Sequence, residues 1–262
     1  MQLLDLTLES AAENLALDEA LLDSAESDLR SAESTASDEG EILRLWEPRE
    51  LMVVAGSSSH LADEVHLDSC RRRNIPVVRR ASGGATIVTG NGCLMYAVVL
   101  SYRLRPQLRP INLAHDFVLT TIAAALNQTL ITRGQPLVSP TAASSLRIAR
   151  AGTSDLVLDD KKFSGNSLRC KRNHFLYHGT LLYDFPLHEI AALLKMPTRQ
   201  PKYRNARPHA DFIINLPLTL SQLRAALTNA FDAHFSTIAW PRGITNQLIT
   251  EKYSRLNWNE RM

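Results

Sequence analysis

The chain has 262 residues, 45% of them hydrophobic and 21% charged, and a formal net charge of +2. That is the balance of an ordinary globular protein with a sizeable core, and it argues for neither a nucleic-acid partner nor a membrane surface. No apolar run approaches the roughly 18 residues of a membrane span, no basic-then-apolar leader is apparent, and three scattered cysteines without CxxC spacing favour reduced thiols in a cytoplasmic setting.

Leu15, Leu17, Ala20, Leu21 and Leu22, with acidic residues between them, predict an amphipathic helix from Ala11 to Ser24. Ser24 to Glu41 is dominated by Ser, Ala, Glu and Asp, too poor in apolar surface to offset its ordering entropy. A mobile acidic loop is therefore expected over 24–41. Two strands, Ile42–Trp46 and Leu51–Ala55, flank the turn Glu47-Pro48-Arg49-Glu50. Ala62 to Asn74 has helical character, with Arg71-Arg72-Arg73 at the end where cations oppose the helix dipole.

The run Ile75-Pro76-Val77-Val78 then closes on Arg79-Arg80-Ala81-Ser82-Gly83-Gly84-Ala85-Thr86. Paired glycines let main-chain N–H groups approach a ligand, and neighbouring guanidinium groups add charge. The stretch reads either as an anion cradle or as a tight connection with solvated arginines. A second apolar run, Leu94 to Leu100, predicts the next strand, and His115 to Thr132 a long helix stopped by Gly134 and Pro136. Ser139 to Ser145 reads as a small-residue loop, and Leu146 to Ala149 as a short strand.

Apolar residues before Asp159-Asp160, then Lys161-Lys162-Phe163-Ser164-Gly165, predict a β-hairpin within 152–167. Phe175 to Tyr183 is a further strand with Gly179 inside it, which marks a bulge or a close backbone approach. Helices are expected over Pro186–Leu194 and Ser221–Phe235, a basic loop over Gln200–Arg207, and a terminal helical turn over Glu251–Trp258. With no internal repeat or linker, one domain is expected over 1–262.

GxSxG, GxxxxGK[ST], GxGxxG and HExxH are all absent, which sets aside the common hydrolase, nucleotide-loop and zinc readings. Strand-borne anion sites remain: Arg79, Arg80 and Gly83-Gly84 in one stretch, Lys162 with Ser164-Gly165 in another. A lysine beside a glycine can offer a point charge to a carboxylate or phosphate.

Four motifs together carry a family resemblance. They are Arg79-Arg80-Ala81-Ser82-Gly83-Gly84-Ala85, Gly152-Thr153-Ser154-Asp155-Leu156, Lys161-Lys162-Phe163-Ser164-Gly165-Asn166-Ser167 and His178-Gly179-Thr180-Leu181-Leu182, with a weaker match at Pro201-Lys202-Tyr203-Arg204 and Asn215-Leu216. In order and spacing the chain resembles the lipoate–protein ligase A family over about 14–258.

The resemblance implies a mixed α/β domain shared with biotin–protein ligases, its central, mostly antiparallel sheet flanked by helices. It implies ATP-dependent activation of lipoate or octanoate to an acyl-adenylate. The acceptor would be a lysine on lipoyl domains of 2-oxoacid dehydrogenases or on the glycine cleavage H protein. Carried over by position, Lys162 is the catalytic residue, near the acyl carboxylate and the bridging phosphate. Arg80, Ser82, Gly83, Gly84, Lys162, His178 and Gly179 would bind the acyl group. Arg80, Ala85, Thr86, Ile87, Val88, Asp155, Lys162, Ser164, Gly165 and Thr180 would bind the nucleotide, with Asp155 the ligand of Mg2+. No C-terminal accessory domain is expected, so an accessory subunit would act in trans.

The chain departs from the family's pattern at Ala85, at Thr89 and at Thr153-Ser154, all read as nucleotide-contacting. Related octanoyltransferases act through a cysteine, and Arg147 stands near one of its places. Cys93 follows the glycine turn and reads chiefly as a buried strand residue. A transferase using a preformed acyl donor and a non-catalytic acyl-adenylate binder are the alternatives.

Overall fold

The computed structural model describes residues 1–28, 39–132, 147–198, 200–235 and 239–261. The first half runs β1 (Gln2–Asp5), α1 (Ala11–Asp28), β2 (Ile42–Trp46), β3 (Met52–Ala55), α2 (Leu61–Glu64), α3 (Leu67–Arg72), β4 (Val77–Arg79), β5 (Ile87–Thr89), β6 (Cys93–Ser101) and α4 (Ile111–Thr132). After it come β7 (Ile148–Ala151), β8 (Asp155–Leu158), β9 (Lys161–Cys170), β10 (His174–Leu182), α5 (His188–Leu193), α6 (His209–Phe212), α7 (Leu220–Ala230), β11 (His234–Phe235), α8 (Arg242–Leu248) and α9 (Leu256–Asn259).

Eight strands form one mixed sheet in the order β11-β1-β2-β6-β10-β9-β8-β7. β1 is parallel to both neighbours, and every other pair is antiparallel. Strands β6 and β10 lie at its centre and are buried along their whole length. Their near-continuous apolar composition follows, because both faces are covered. Over one face, α4 and α7 bring Val118, Ile122, Leu126, Leu223 and Leu227 against Tyr96, Val98 and Tyr177. Over the other, Leu17 and Leu21 of α1 meet Ala97, Val99 and Leu176. The expected mixed α/β fold is the one observed.

A second sheet, β4-β3-β5, packs its valines Val53, Val54, Val78 and Val88 with Leu15, Met95, Ile190 and Leu193. It carries the glycine turn. The strands β2 and β3, adjacent in sequence, thus belong to different sheets, something no local pattern records.

Other differences are local. Helix α1 continues to Asp28, so the first part of the expected acidic loop is helical, while 29–38 lies outside the described residues. The helix expected over 62–74 divides because Val65 is extended and bridges to Leu194. The helix expected to reach Phe235 ends at Ala230; Asp232 takes a left-handed φ of 46° and turns the chain into β11, which, like β1, was not foreseen. The expected stops at Gly134 and Pro136 and the loop 139–145 lie outside the described residues. None of the described helices is long and apolar enough to cross a membrane.

Candidate active site

The glycine turn is organised by its own arginines. Arg79, fully buried, donates to the carbonyls of Gly56, Ser59, Trp258 and Arg261, while its backbone N–H donates to Asn259 Oδ1. It ties the C-terminal helix α9 to β4. Arg79 is thus neither a solvated side chain nor an anion ligand on the cavities described below. Arg80 is also buried, and donates to Ser82 Oγ and to the carbonyls of Val54, Gly83 and Ala85. Burial pulls its guanidinium down to about 10. The charge thus folds the turn around itself, and its side chain also lines the larger cavity described below.

Gly84 needs its freedom: its φ is +91°, and a Cβ there would lie 2.9 Å from the Arg80 guanidinium. Ala85 has no left-handed φ, so its methyl causes no strain where the family has glycine. The turn is fastened to β9 by Ser167 Oγ and Arg169, which donate to the carbonyls of Gly83 and Ala81. Ser82 Oγ lies 2.5 Å from His178 Nε2, and His178 Nδ1 lies 3.5 Å from Asp18, itself paired with buried Arg44. At the far end of the turn, Glu64 accepts from both the N–H and the hydroxyl of Thr86, at 2.9 and 2.5 Å.

Lys162 sits where the β8–β9 register slips, with Val157 opposite Lys162 but Leu156 opposite Ser164. Such a bulge re-aims side chains. It leaves Phe163 fully buried and the Lys162 ammonium at the wall of a cavity, 2.7 Å from Asp155 Oδ1. The hydroxyl of Tyr203 donates to the other carboxylate oxygen of Asp155 at 2.7 Å. Burial and that carboxylate together raise the Tyr203 pKa, which keeps the phenol a donor. Gly165 makes room for the lysine, since a Cβ there would stand 3.0 Å from Lys162 Nζ.

Gly179 has a different reason. It is regularly paired on both sides, so of its two readings the bulge is the one that fails. A Cβ on Gly179 would fall 1.7 Å from Asn166 Oδ1. The Asn166 amide fills that space, accepting from the Tyr96 hydroxyl at 2.5 Å and donating to Ser154 O at 2.8 Å.

Two cavities meet at this point. The larger, of about 340 Å³, is walled by Leu15, Val54, Met95, Arg80, His178 and Gly179 among others. The smaller, of about 150 Å³, is walled by Val88, Phe163, Leu182, Arg204, His209 and Phe212. Ala85, Thr86, Ile87, Asp155, Lys162, Gly165 and Thr180 line both. Gly84 lines only the larger, and Ser164 and Val88 only the smaller. Ser82 and Gly83 line neither.

Of the three departures, Thr89 is fully buried, donates to Met95 Sδ and lines neither cavity. It is a packing position. Thr153 does line the larger cavity. Sequence reasoning missed Glu64, Asp18, Tyr203, Arg204 and His209 as neighbours of the site. Only the short match at Pro201–Arg204 pointed toward any of them.

No cysteine lines either cavity. Burial pushes the Cys93 thiol up to about 12, against thiolate chemistry there. Among the described residues no group of His, Cys, Asp and Glu is arranged to hold a metal. Asp155 belongs to no such group, so an ion held by protein ligands alone does not fit. A magnesium ion carried in on phosphate oxygens, needing one or two carboxylates, is compatible with Asp155.

These features define a mixed-sheet protein whose lysine–aspartate pair stands between two adjoining cavities. The match to the Lipoyl protein ligase A/B catalytic domain covers residues 10–232, and the chain belongs to that family. Among curated relatives, an octanoyltransferase LipM of Clostridioides difficile is 28% identical over 61% of this chain and 59% of its own length. The chain spans less than two thirds of the first curated relatives it matches. The bi-partite lipoate protein ligase of Thermoplasma acidophilum, solved in a study with its E2 lipoyl domain, has a TM-score of 0.74 at 22% identity, covering 99% of this chain and 95% of that one. A lipoate-protein ligase A bound with ATP has a TM-score of 0.70 at 22% identity, covering 99% and 98%. At these identities the structural likenesses establish the fold.

Proposed function

We propose that this chain is a lipoate–protein ligase, activating lipoate or octanoate with ATP and passing the acyl group to a lysine of a lipoyl domain. The observation that carries this reading is Lys162, held by Asp155 at the wall common to both cavities. A reagent that joins an acyl chain to a nucleotide needs a cation where the two meet.

In the first half-reaction a carboxylate oxygen attacks the α-phosphorus and pyrophosphate leaves with the electron pair. In the second, the acceptor amine attacks the acyl carbon, AMP departs with the electrons of the anhydride bond, and the amine proton passes to solvent. Charge accumulates on oxygen in both, and the Lys162 ammonium is placed to oppose it. Magnesium, arriving with ATP, would neutralise phosphate charge. Asp155 and Tyr203 orient the lysine. The acyl chain lies in the larger cavity and the nucleotide in the smaller, and holding both ends of the adenylate supplies rate through proximity.

The test combines purified chain with lipoate, ATP, Mg2+ and an apo lipoyl domain, and follows the intact mass of the acceptor. One lipoyl group should be gained only with ATP, and Lys162→Ala should abolish it while the protein stays folded. Gain only when a second polypeptide is added would assign an accessory subunit. A second reading, transfer from a preformed octanoyl donor, is favoured by the likeness to LipM and predicts modification without ATP. The lack of a cavity-lining thiol weighs against it.

A further inference from the structure

Four buried side-chain polar atoms have no hydrogen-bond partner among the described residues: Asp23 Oδ1, Trp46 Nε1, Arg169 Nε and His209 Nδ1. Asp23 and Arg169 have ionic neighbours in Lys171 and Glu19. Of the four residues, His209 alone lines either of the two cavities, and it lines only the smaller.

His209 is 9% exposed, with Nε2 3.4 Å from the carbonyl of Lys195. A carbonyl only accepts, so Nε2 carries the ring hydrogen and Nδ1 presents a bare lone pair. Burial and the nearby Arg204 charge lower the imidazole pKa, which keeps the ring neutral. A buried acceptor with no donor is unfavourable in the protein interior. A ligand that displaces solvent from this cavity is therefore favoured when it brings a donor to Nδ1.

The acyl chains of lipoate and octanoate carry no N–H or O–H group. Adenosine carries ribose hydroxyls and one exocyclic amino group. The ribose hydroxyls stay close to the phosphate, and so to the shared wall at Lys162 and Asp155. His209 lines only the smaller cavity, as do Phe212, Ile213 and Val88, which supply apolar surface for a ring.

We infer that His209 Nδ1 accepts a hydrogen bond from the exocyclic amino group of adenine, and so selects the base of the nucleotide. The inference rests on reading the smaller cavity as the nucleotide side. A 6-oxo purine would set a carbonyl oxygen against the same lone pair. Moving the ring hydrogen to Nδ1 would relieve that clash only by turning the Nε2 lone pair on Lys195 O. Discrimination by a site built around a buried polar group is strong for this reason.

Equilibrium binding of ATP and ITP to the full chain, measured by calorimetry with Mg2+ present, tests the assignment. Wild type should bind ATP at least about tenfold tighter than ITP. In His209→Phe, ATP should weaken about tenfold while ITP holds, bringing the ratio near one. His209→Gln, whose amide can accept or donate, should also bring the ratio toward one while binding both, and serves if the phenylalanine variant fails to fold. Equal binding by wild type, or a preference surviving both substitutions, would overturn the role of His209 alone. If wild type binds neither nucleotide, the nucleotide reading of the cavity fails as well.

Discussion

Gly165 gives the sharpest handle on Lys162. Its sequence motif suggests close approach to a nucleotide, but the structure gives another reason for the missing side chain. A Cβ at 165 would stand 3.0 Å from Lys162 Nζ and 3.1 Å from Cε. Ordinary non-bonded contact needs about 3.5–4.0 Å, so in Gly165→Ala the ammonium must retreat by roughly half an ångström or more. The backbone there is not left-handed, and the obstructed group is the far end of a flexible chain. The fold should therefore hardly notice. The lost ion pair with Asp155 involves a lysine side chain 28% exposed, which limits its share of stability to about 1 kcal/mol or less. Catalysis is the sensitive readout, because a misplacement near 1 Å can cost about a hundredfold. We expect acyl transfer to fall by about 10- to 100-fold with the melting temperature within a few degrees of wild type. Initial rates of acceptor modification at saturating ATP and lipoate, beside a thermal melt, measure both. Wild-type turnover in a folded Gly165→Ala protein would refute the placement of Lys162 as the catalytic cation.

Gly179→Ala should behave in the opposite way, costing about 2–4 kcal/mol in chemical denaturation, since a Cβ would overlap Asn166 Oδ1 in a buried network. Adding Asn166→Ala should return part of that loss, and strictly additive losses would show the clash is not the cause. At pH 8 a thiol reagent should label only exposed Cys170 in the native protein, because Cys70 and Cys93 are buried and both thiols are shifted upward; Cys93→Ala should keep transfer activity, and its loss would revive a thioester route. The bidentate hydrogen bonds from Arg73, at 2.7 and 2.8 Å, hold Glu189 below its ordinary value of 4.5. That contribution is present above pH 4.5 and lost as pH falls through the lowered value. Arg73→Ala should therefore lower stability near neutral pH and converge with wild type in acid, and an equal offset across the acid range would contradict it.

The motifs were legible where a residue type answers a local demand. Gly84 needs a left-handed backbone, the Asp159-Asp160 turn makes a hairpin, and Lys162 with Gly165 forms a compact charged corner on one strand. Legibility failed where the reason lies in a distant neighbour. Arg79 and Arg80 look alike in sequence, yet one anchors the C-terminal helix and the other shapes the turn. Gly179 is small because of Asn166 on the adjacent strand. Thr89, a departure on a motif, faces Met95 and neither cavity.

Apolar periodicity and short motifs are properties of neighbours along the chain, and they were enough to read the central strands β6 and β10, the long helix α4, the β8–β9 hairpin and the family. Long-range packing sets the rest: β2 and β3 part into separate sheets, and a register slip turns Lys162 toward Asp155. It also brings Tyr203, Arg204 and His209 to the site from a distant segment. Those facts depend on which side chains share a cavity after the sheets have packed. Packing is set by contacts between segments far apart in sequence, which no local pattern encodes.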